Sequence, residues 1–218
     1  MTAFAAIVLR DVALAFRAGG GGLQVVLFFV LAALLFALAL GPDRATLAAS
    51  AASLLWAAAL FSAIVSFDRM FEAEFEDGSV DTLVETSEVL ELRVLAKATA
   101  HWLSTSLPVI AAAPIVALLL NLPADRLWPL LASLLVGTPA LSLFGAFGSA
   151  AAMALRRAGL LVALLTAPVM APTLIFGALA ATGGAEAEPS MLYLAAITLL
   201  AAIIGPVAGA AVLRLNMN

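Results

Sequence analysis

The chain has 218 residues, 65% of them hydrophobic and only 11% charged, with a formal net charge of −4 and a mean hydropathy of +1.16. A soluble domain carries about one quarter charged residues, so this composition excludes one and marks an integral membrane protein; the acidic balance offers no basic surface for nucleic acid. The absence of cysteine excludes disulfides, cysteine-ligated metal centres and a thiol nucleophile.

In the bilayer core only helices or a closed barrel satisfy the backbone, and the apolar runs here are long and unalternated, as helices require. The first 17 residues, MTAFAAIVLRDVALAFR, place apolar positions at helical spacing and end in an arginine before a run of glycines. They read as an interfacial amphipathic helix. The rival reading is a signal peptide, because Ala37 and Ala39 form an A-x-A pattern after an apolar run, but that run is longer than a usual signal core.

Six stretches then approach the roughly 20 apolar residues that a crossing needs: Leu23 to Leu40, Thr46 to Ser66, Trp102 to Leu120, Leu127 to Leu155, Ala158 to Ala181 and Met191 to Leu213. The predicted fold is therefore all-α, a single polytopic membrane domain over residues 1–218. Short polar connections separate the spans, except for one long interruption at 67–100. Lysine and arginine set the orientation. Arg10, Arg17, Arg69, Arg93, Lys97, Arg156, Arg157 and Arg214 share one side, against Arg44 and Arg126 on the other. Eight against two places both termini and the long interruption in the cytoplasm.

No assigned span contains an Asp, Glu, Lys, Arg or His between its ends, which argues against a proton-coupled or sodium-coupled carrier. No catalytic constellation is visible, and no metal site is expected. The sole histidine, His101, stands with Trp102 at the start of the third span, where the pair reads as an interfacial anchor. Pro108, Pro114, Pro139, Pro168, Pro172 and Pro206 fall within spans, where they can kink helices or simply be tolerated. Gly205 with Gly209, and Ser142, Gly145 and Ser149, set small residues along single helix faces, permitting close contact within the chain or between two copies.

The interruption Phe67 to Lys97 holds nine of the fourteen acidic residues, and lipid burial of each would cost on the order of several kcal/mol. Phe67, Met70, Phe71 and Phe75 cluster on one helical face, with Asp68, Arg69, Glu72 and Glu76 on the other. Glu74 falls within the aromatic arc, where covering it would demand a partner. Asp77, Gly78 and Ser79 read as a helix stop and a new N-cap, and Val80, Leu83 and Val84 give the following short helix an apolar side. Asp81 lies in its first turn, where the helix dipole favours an anion. A second break at Thr86-Ser87 precedes a helix with no clean apolar face, which predicts packing on several sides. By pattern alone the segment is either a solvated loop or a platform for a soluble partner.

The run EAEFEDGSVDTLVE resembles the cytoplasmic element of ABC-2 type permeases, in which acidic residues precede a short coupling helix. More narrowly, FDRMFEAEFEDGS, LAKATAHWL, VGTPALSLFGAFGSA, LRRAGLL and APVMAPTLIFG, in that order from Phe67 to Gly177, are similar to the cytochrome c maturation protein B family, also called heme exporter protein B. One departure is Thr86-Ser87-Glu88-Val89, where the family usually has proline after the short helix.

The resemblance implies a bacterial inner-membrane permease subunit serving heme delivery, with heme as cargo of the complex and ATP bound by a partner. It implies a CcmA-like ATPase, a CcmC-like heme-handling subunit, a small CcmD-like subunit and a CcmE-like heme chaperone, and it allows a homodimer. On it, Glu74, Glu76, Asp77, Gly78, Ser79, Val80 and Asp81 are the candidate ATPase-coupling residues. The chain itself is not expected to be an enzyme: no phosphate-loop motif occurs, and Gly19 to Gly22 lack the lysine and hydroxyl that such a loop needs. A stand-alone carrier or channel and a non-energised assembly scaffold are the competing functions.

Overall fold

A computed structural model describes residues 3–17, 21–71, 89–152 and 158–216. Among them the backbone is helical with short connections and no strand, as expected where lipid leaves peptide groups only internal partners. The helices are α1 (Ala3–Arg17), α2 (Gly21–Leu40), α3 (Arg44–Ser66), α4 (Leu90–His101), α5 (Leu107–Leu119), α6 (Ala124–Ala152), α7 (Ala158–Thr182) and α8 (Ala187–Asn216). One 3₁₀ turn, Phe67–Met70, extends α3, and one wide π turn, Trp102–Ser106, joins α4 to α5.

Among the described residues six helical stretches are long and apolar enough to cross a membrane. The third runs from Leu90 to Leu119, starting twelve residues before the apolar run that begins at Trp102. Glu91, Arg93, Lys97 and His101 are thereby part of a continuous helical rod. The physical reason is that distant partners offset the polarity of Glu91, Lys97 and His101, as described below. In α4 the buried residues Leu90, Val94, Ala96, Lys97, Ala98, Ala100 and His101 cover more than half of the circumference, wider than one stripe and in keeping with packing on several sides.

The most apolar 18-residue window of α6 is 61% buried and that of α2 only 17%, so α6 is the central pillar and α2 a peripheral one. Around α6 pack α7 and α8, with α3 and α4 closing the remaining sides; α2 lies against α3 and α5, and α1 rests on α4. In that last contact Phe4, Ile7, Val8 and Val12 meet Ala96, Ala100 and Leu103, while Leu9, Leu14 and Phe16 face outward.

Trp56 marks the middle of the core. It is fully buried, and its indole N–H donates to Ser133 Oγ at 2.9 Å. The ring occupies space left by two glycines: a Cβ on Gly137 would come within 2.7 Å of it, and one on Gly177 would overlap it. The small-residue trio predicted on α6 and the pair predicted on α8 find partners inside the chain. A Cβ on Gly205 would sit 2.8 Å from the Leu143 carbonyl oxygen, and one on Gly209 would sit 2.9 Å from Val94, so α8 closes on α6 and α4 at these positions.

At the end of the bundle away from α1 the turns are short. Asp43 caps α3, accepting from Thr46 N at 2.9 Å and Thr46 Oγ1 at 2.6 Å. Asn121 takes the left-handed conformation, φ 54°, that ends a helix, and the Leu122 N–H donates back to the Ala117 carbonyl at 2.9 Å.

Candidate functional site: the roots of the acidic segment

The seven candidate coupling residues, Glu74, Glu76, Asp77, Gly78, Ser79, Val80 and Asp81, lie outside the described residues, as does Phe75. What is described is how the chain enters and leaves that stretch. It leaves through the 3₁₀ turn, where Phe67, Met70 and Phe71 are buried and Asp68 and Arg69 exposed. This is the division of faces predicted from the sequence, delivered by a tighter helix than the α-helix expected. It returns at Val89, the exposed N-cap of α4.

Both roots converge on one face of α6. Thr138, Ser142, Gly145 and Ser149 follow at spacings of four, three and four residues, which align them along a single stripe. Each receives something from the roots. The single hydroxyl hydrogen of Ser149 is shared between the Phe67 carbonyl at 2.6 Å and the Gly145 carbonyl of its own helix at 2.8 Å. Gly145 has no side chain because the Phe67 ring occupies that space. Ser142 Oγ lies 2.9 Å from His101 Nδ1, and the Trp102 indole N–H donates to Thr138 Oγ1 at 2.9 Å. Across the stripe, Ser66 Oγ lies 2.8 Å from His101 Nε2, and the rings of Phe67 and His101 are 5.3 Å apart.

His101 is therefore not the interfacial anchor expected from its place beside the apolar run. It is only 7% exposed and carries a partner on each ring nitrogen, which makes an otherwise costly burial tolerable. Trp102 points to α6 as well.

The proton positions follow from counting hydrogens. The assignment that uses every hydrogen has Ser66 donate its single hydroxyl hydrogen to the Ala63 carbonyl at 2.7 Å and accept from His101. Nε2 then carries the hydrogen, and Nδ1 accepts from Ser142. Thr105 also has its hydrogen committed, to the His101 carbonyl at 2.6 Å.

The π turn that follows permits this arrangement. A π turn accommodates one extra residue per turn, loosening the carbonyl ladder, and the freed carbonyls are taken up by side chains: Ser104 Oγ donates to the Ala100 carbonyl at 2.9 Å, and Thr105 does the same to His101.

Charged residues close the root region. Lys97, with a side chain only 4% exposed, pairs with Asp11 of α1 at 2.9 Å, and its ammonium lies 5.6 Å from the centre of the Phe71 ring, within cation–π range. Glu91 pairs with Arg214 of α8 at 2.9 Å. Helix α4 is thus tied at its start to α8 and further along to α1 and to the last described residue before the acidic stretch.

Sequence reasoning missed His101 and Lys97 as packed groups. The available signal was the run of hydroxyls after the histidine, Ser104, Thr105 and Ser106, matched by Thr138, Ser142 and Ser149 at helical spacing.

Known proteins fit this architecture. The heme exporter protein B of Paracoccus denitrificans is 48% identical over 98% of this chain and 99% of its own length. That of Bradyrhizobium diazoefficiens is 43% identical over the whole of both chains, and that of Escherichia coli is 36% identical over 88% of each. The family described as CcmB protein matches residues 2–216, and with the match spanning every helix from α1 to α8, the chain belongs to the CcmB family.

Proposed function

We propose that this chain is the membrane subunit of an ABC-type heme-handling complex, coupling ATP hydrolysis on a partner ATPase to heme delivery or to release of a heme-loaded chaperone. The observation that carries the reading is nearly full-length similarity to proteins named heme exporter protein B. Anchoring of both roots of the acidic segment to the central helix α6 supports the coupling part. A push on a segment fixed at both ends is transmitted to the bundle, whereas a loosely tethered loop would absorb it.

In this reading Glu74, Glu76, Asp77, Gly78, Ser79, Val80 and Asp81 dock the ATPase from the cytoplasm, both termini lie on that side, and the membrane is the bacterial inner membrane. The partners are a CcmA-like ATPase, CcmC-like and CcmD-like membrane subunits and a CcmE-like chaperone, with a second copy of this chain completing the permease. ATP is bound by the ATPase and heme is cargo. His101 favours a mechanical role over heme ligation, since an iron ligand would have to surrender one of its two hydrogen bonds.

The test is co-purification with the ATPase from membranes, comparing ATP hydrolysis and cytochrome c production in wild type, Asp77→Lys and Gly78→Pro. Lost assembly or altered ATP turnover with reduced cytochrome c is expected. Normal output from both variants, or a chain that purifies and transports without the ATPase, would favour a stand-alone carrier or a passive scaffold.

A further inference from the structure

We propose that His101 is a positioning residue that fixes the two roots of the acidic segment relative to one another, by donating from Nε2 to Ser66 and accepting at Nδ1 from Ser142. The proposal rests on the reading above only for its functional consequence; the geometric claim stands alone. Ser66 ends α3 on the outgoing side, His101 ends α4 on the returning side, and Ser142 belongs to the central α6. One imidazole therefore joins all three helices, at 2.8 Å and 2.9 Å.

Nothing else among these three side chains can replace it. Once the ring is removed, Ser66 keeps its bond to Ala63, while the Ser142 hydroxyl loses its acceptor across the bundle and is left to bond within its own helix, as Ser62 and Thr166 do. The two roots then depend on shape alone, and the Phe67 ring loses the neighbour it packs on.

The chain contains no cysteine, so a pair of labels can be added cleanly at Asp68→Cys and Val89→Cys, exposed positions on the outgoing and returning roots. Nitroxide labels there, read by pulsed electron spin resonance on the full chain in lipid nanodiscs, give the distribution of separations between the roots. His101→Leu, which removes both bonds, is expected to broaden and shift it. His101→Gln supplies one N–H donor and one carbonyl acceptor in a neutral side chain and is expected to restore most of the wild-type distribution. Should His101→Leu fail to fold, Ser142→Ala removes only the bond at Nδ1 and is expected to broaden the distribution by a smaller amount. An unmoved distribution in His101→Leu or Ser142→Ala overturns the proposal, as does a glutamine variant no better than leucine.

ATP turnover of the assembled complex is measured on the same variants. A changed separation with unchanged turnover supports the positioning role and instead rejects the coupling reading.

Discussion

Helix α3 and its 3₁₀ extension carry two fully buried aromatic rings, Trp56 and Phe67, held by different means. Trp56 is placed mainly by volume: two facing glycines make room for it, and one hydrogen bond to Ser133 fixes its orientation. Phe67 also occupies the space over a glycine, Gly145, but its backbone and both neighbours are tied by directional bonds through Ser149, Ser66 and His101. A site fixed by volume fails when atoms are added. One fixed by bonds also fails when atoms are taken away, and can change its geometry when a bond is exchanged. On the proposed function the second kind is the joint through which the acidic segment acts on the bundle, and the first is a fixed pivot.

The largest effects should come from adding atoms. Gly177→Val would drive a branched side chain into the Trp56 ring, and overpacking of this kind costs about 1–3 kcal/mol or more. Gly145→Val does the same to Phe67. Both variants should lower the thermal midpoint of the detergent-solubilised protein, but only Gly145→Val should also change ATP turnover in the assembled complex. Equal functional loss at matched destabilisation would erase the distinction between pivot and joint.

Removing single bonds should separate the two sites more sharply. Ser133→Ala leaves the Trp56 indole N–H without its acceptor, and Ser149→Ala leaves the Phe67 carbonyl without its donor. Side-chain hydrogen bonds in membrane proteins contribute about 0.6 kcal/mol on average, up to about 1.7, so both stability losses should be modest. If the joint reading holds, Ser149→Ala reduces cytochrome c production out of proportion to its stability loss, measured against Ser133→Ala in the same strain.

These contrasts also show what was readable from residues alone. Six spans follow from run length, because the bilayer sets a minimum and lipid tolerates no other exposed backbone. The stripe Ser142, Gly145 and Ser149 announced a close contact, and the burial of Phe67, Met70 and Phe71 followed from spacing. What the stripe would receive was not legible, since Phe67 lies 82 positions from Ser149 and His101 lies 41 from Ser142. The early start of α4 was hidden for the same reason. Whether Lys97 and Glu91 can enter a packed helix depends on Asp11 and Arg214, at opposite ends of the chain, and no local pattern encodes that pairing. The candidate coupling residues, 74 and 76–81, were assigned by resemblance and lie outside the described residues.

The start of α3 supplies a third anchor of the opposite kind. Asp43 is exposed, so its bonds to Thr46 compete with water rather than with lipid, and they should be worth the least of the three. They still leave a mark: the hydrogen bonds from the Thr46 hydroxyl and N–H hold the Asp43 carboxyl below its ordinary value. A group whose folded pKa is lowered contributes stability above its unfolded pKa, and that contribution disappears as pH falls through the folded value. The cap should therefore be fully present at neutral pH and should weaken only in the acid range below about 4. Amide exchange protection at Thr46 and Leu47, corrected for the intrinsic pH dependence of exchange, should fall in that window for wild type. Asp43→Asn keeps a capping oxygen but cannot titrate, so its protection should stay flat while that of Asp43→Ala is low throughout. Protection that falls equally in wild type and Asp43→Asn would place the acid sensitivity elsewhere and leave α3 with only its two buried anchors.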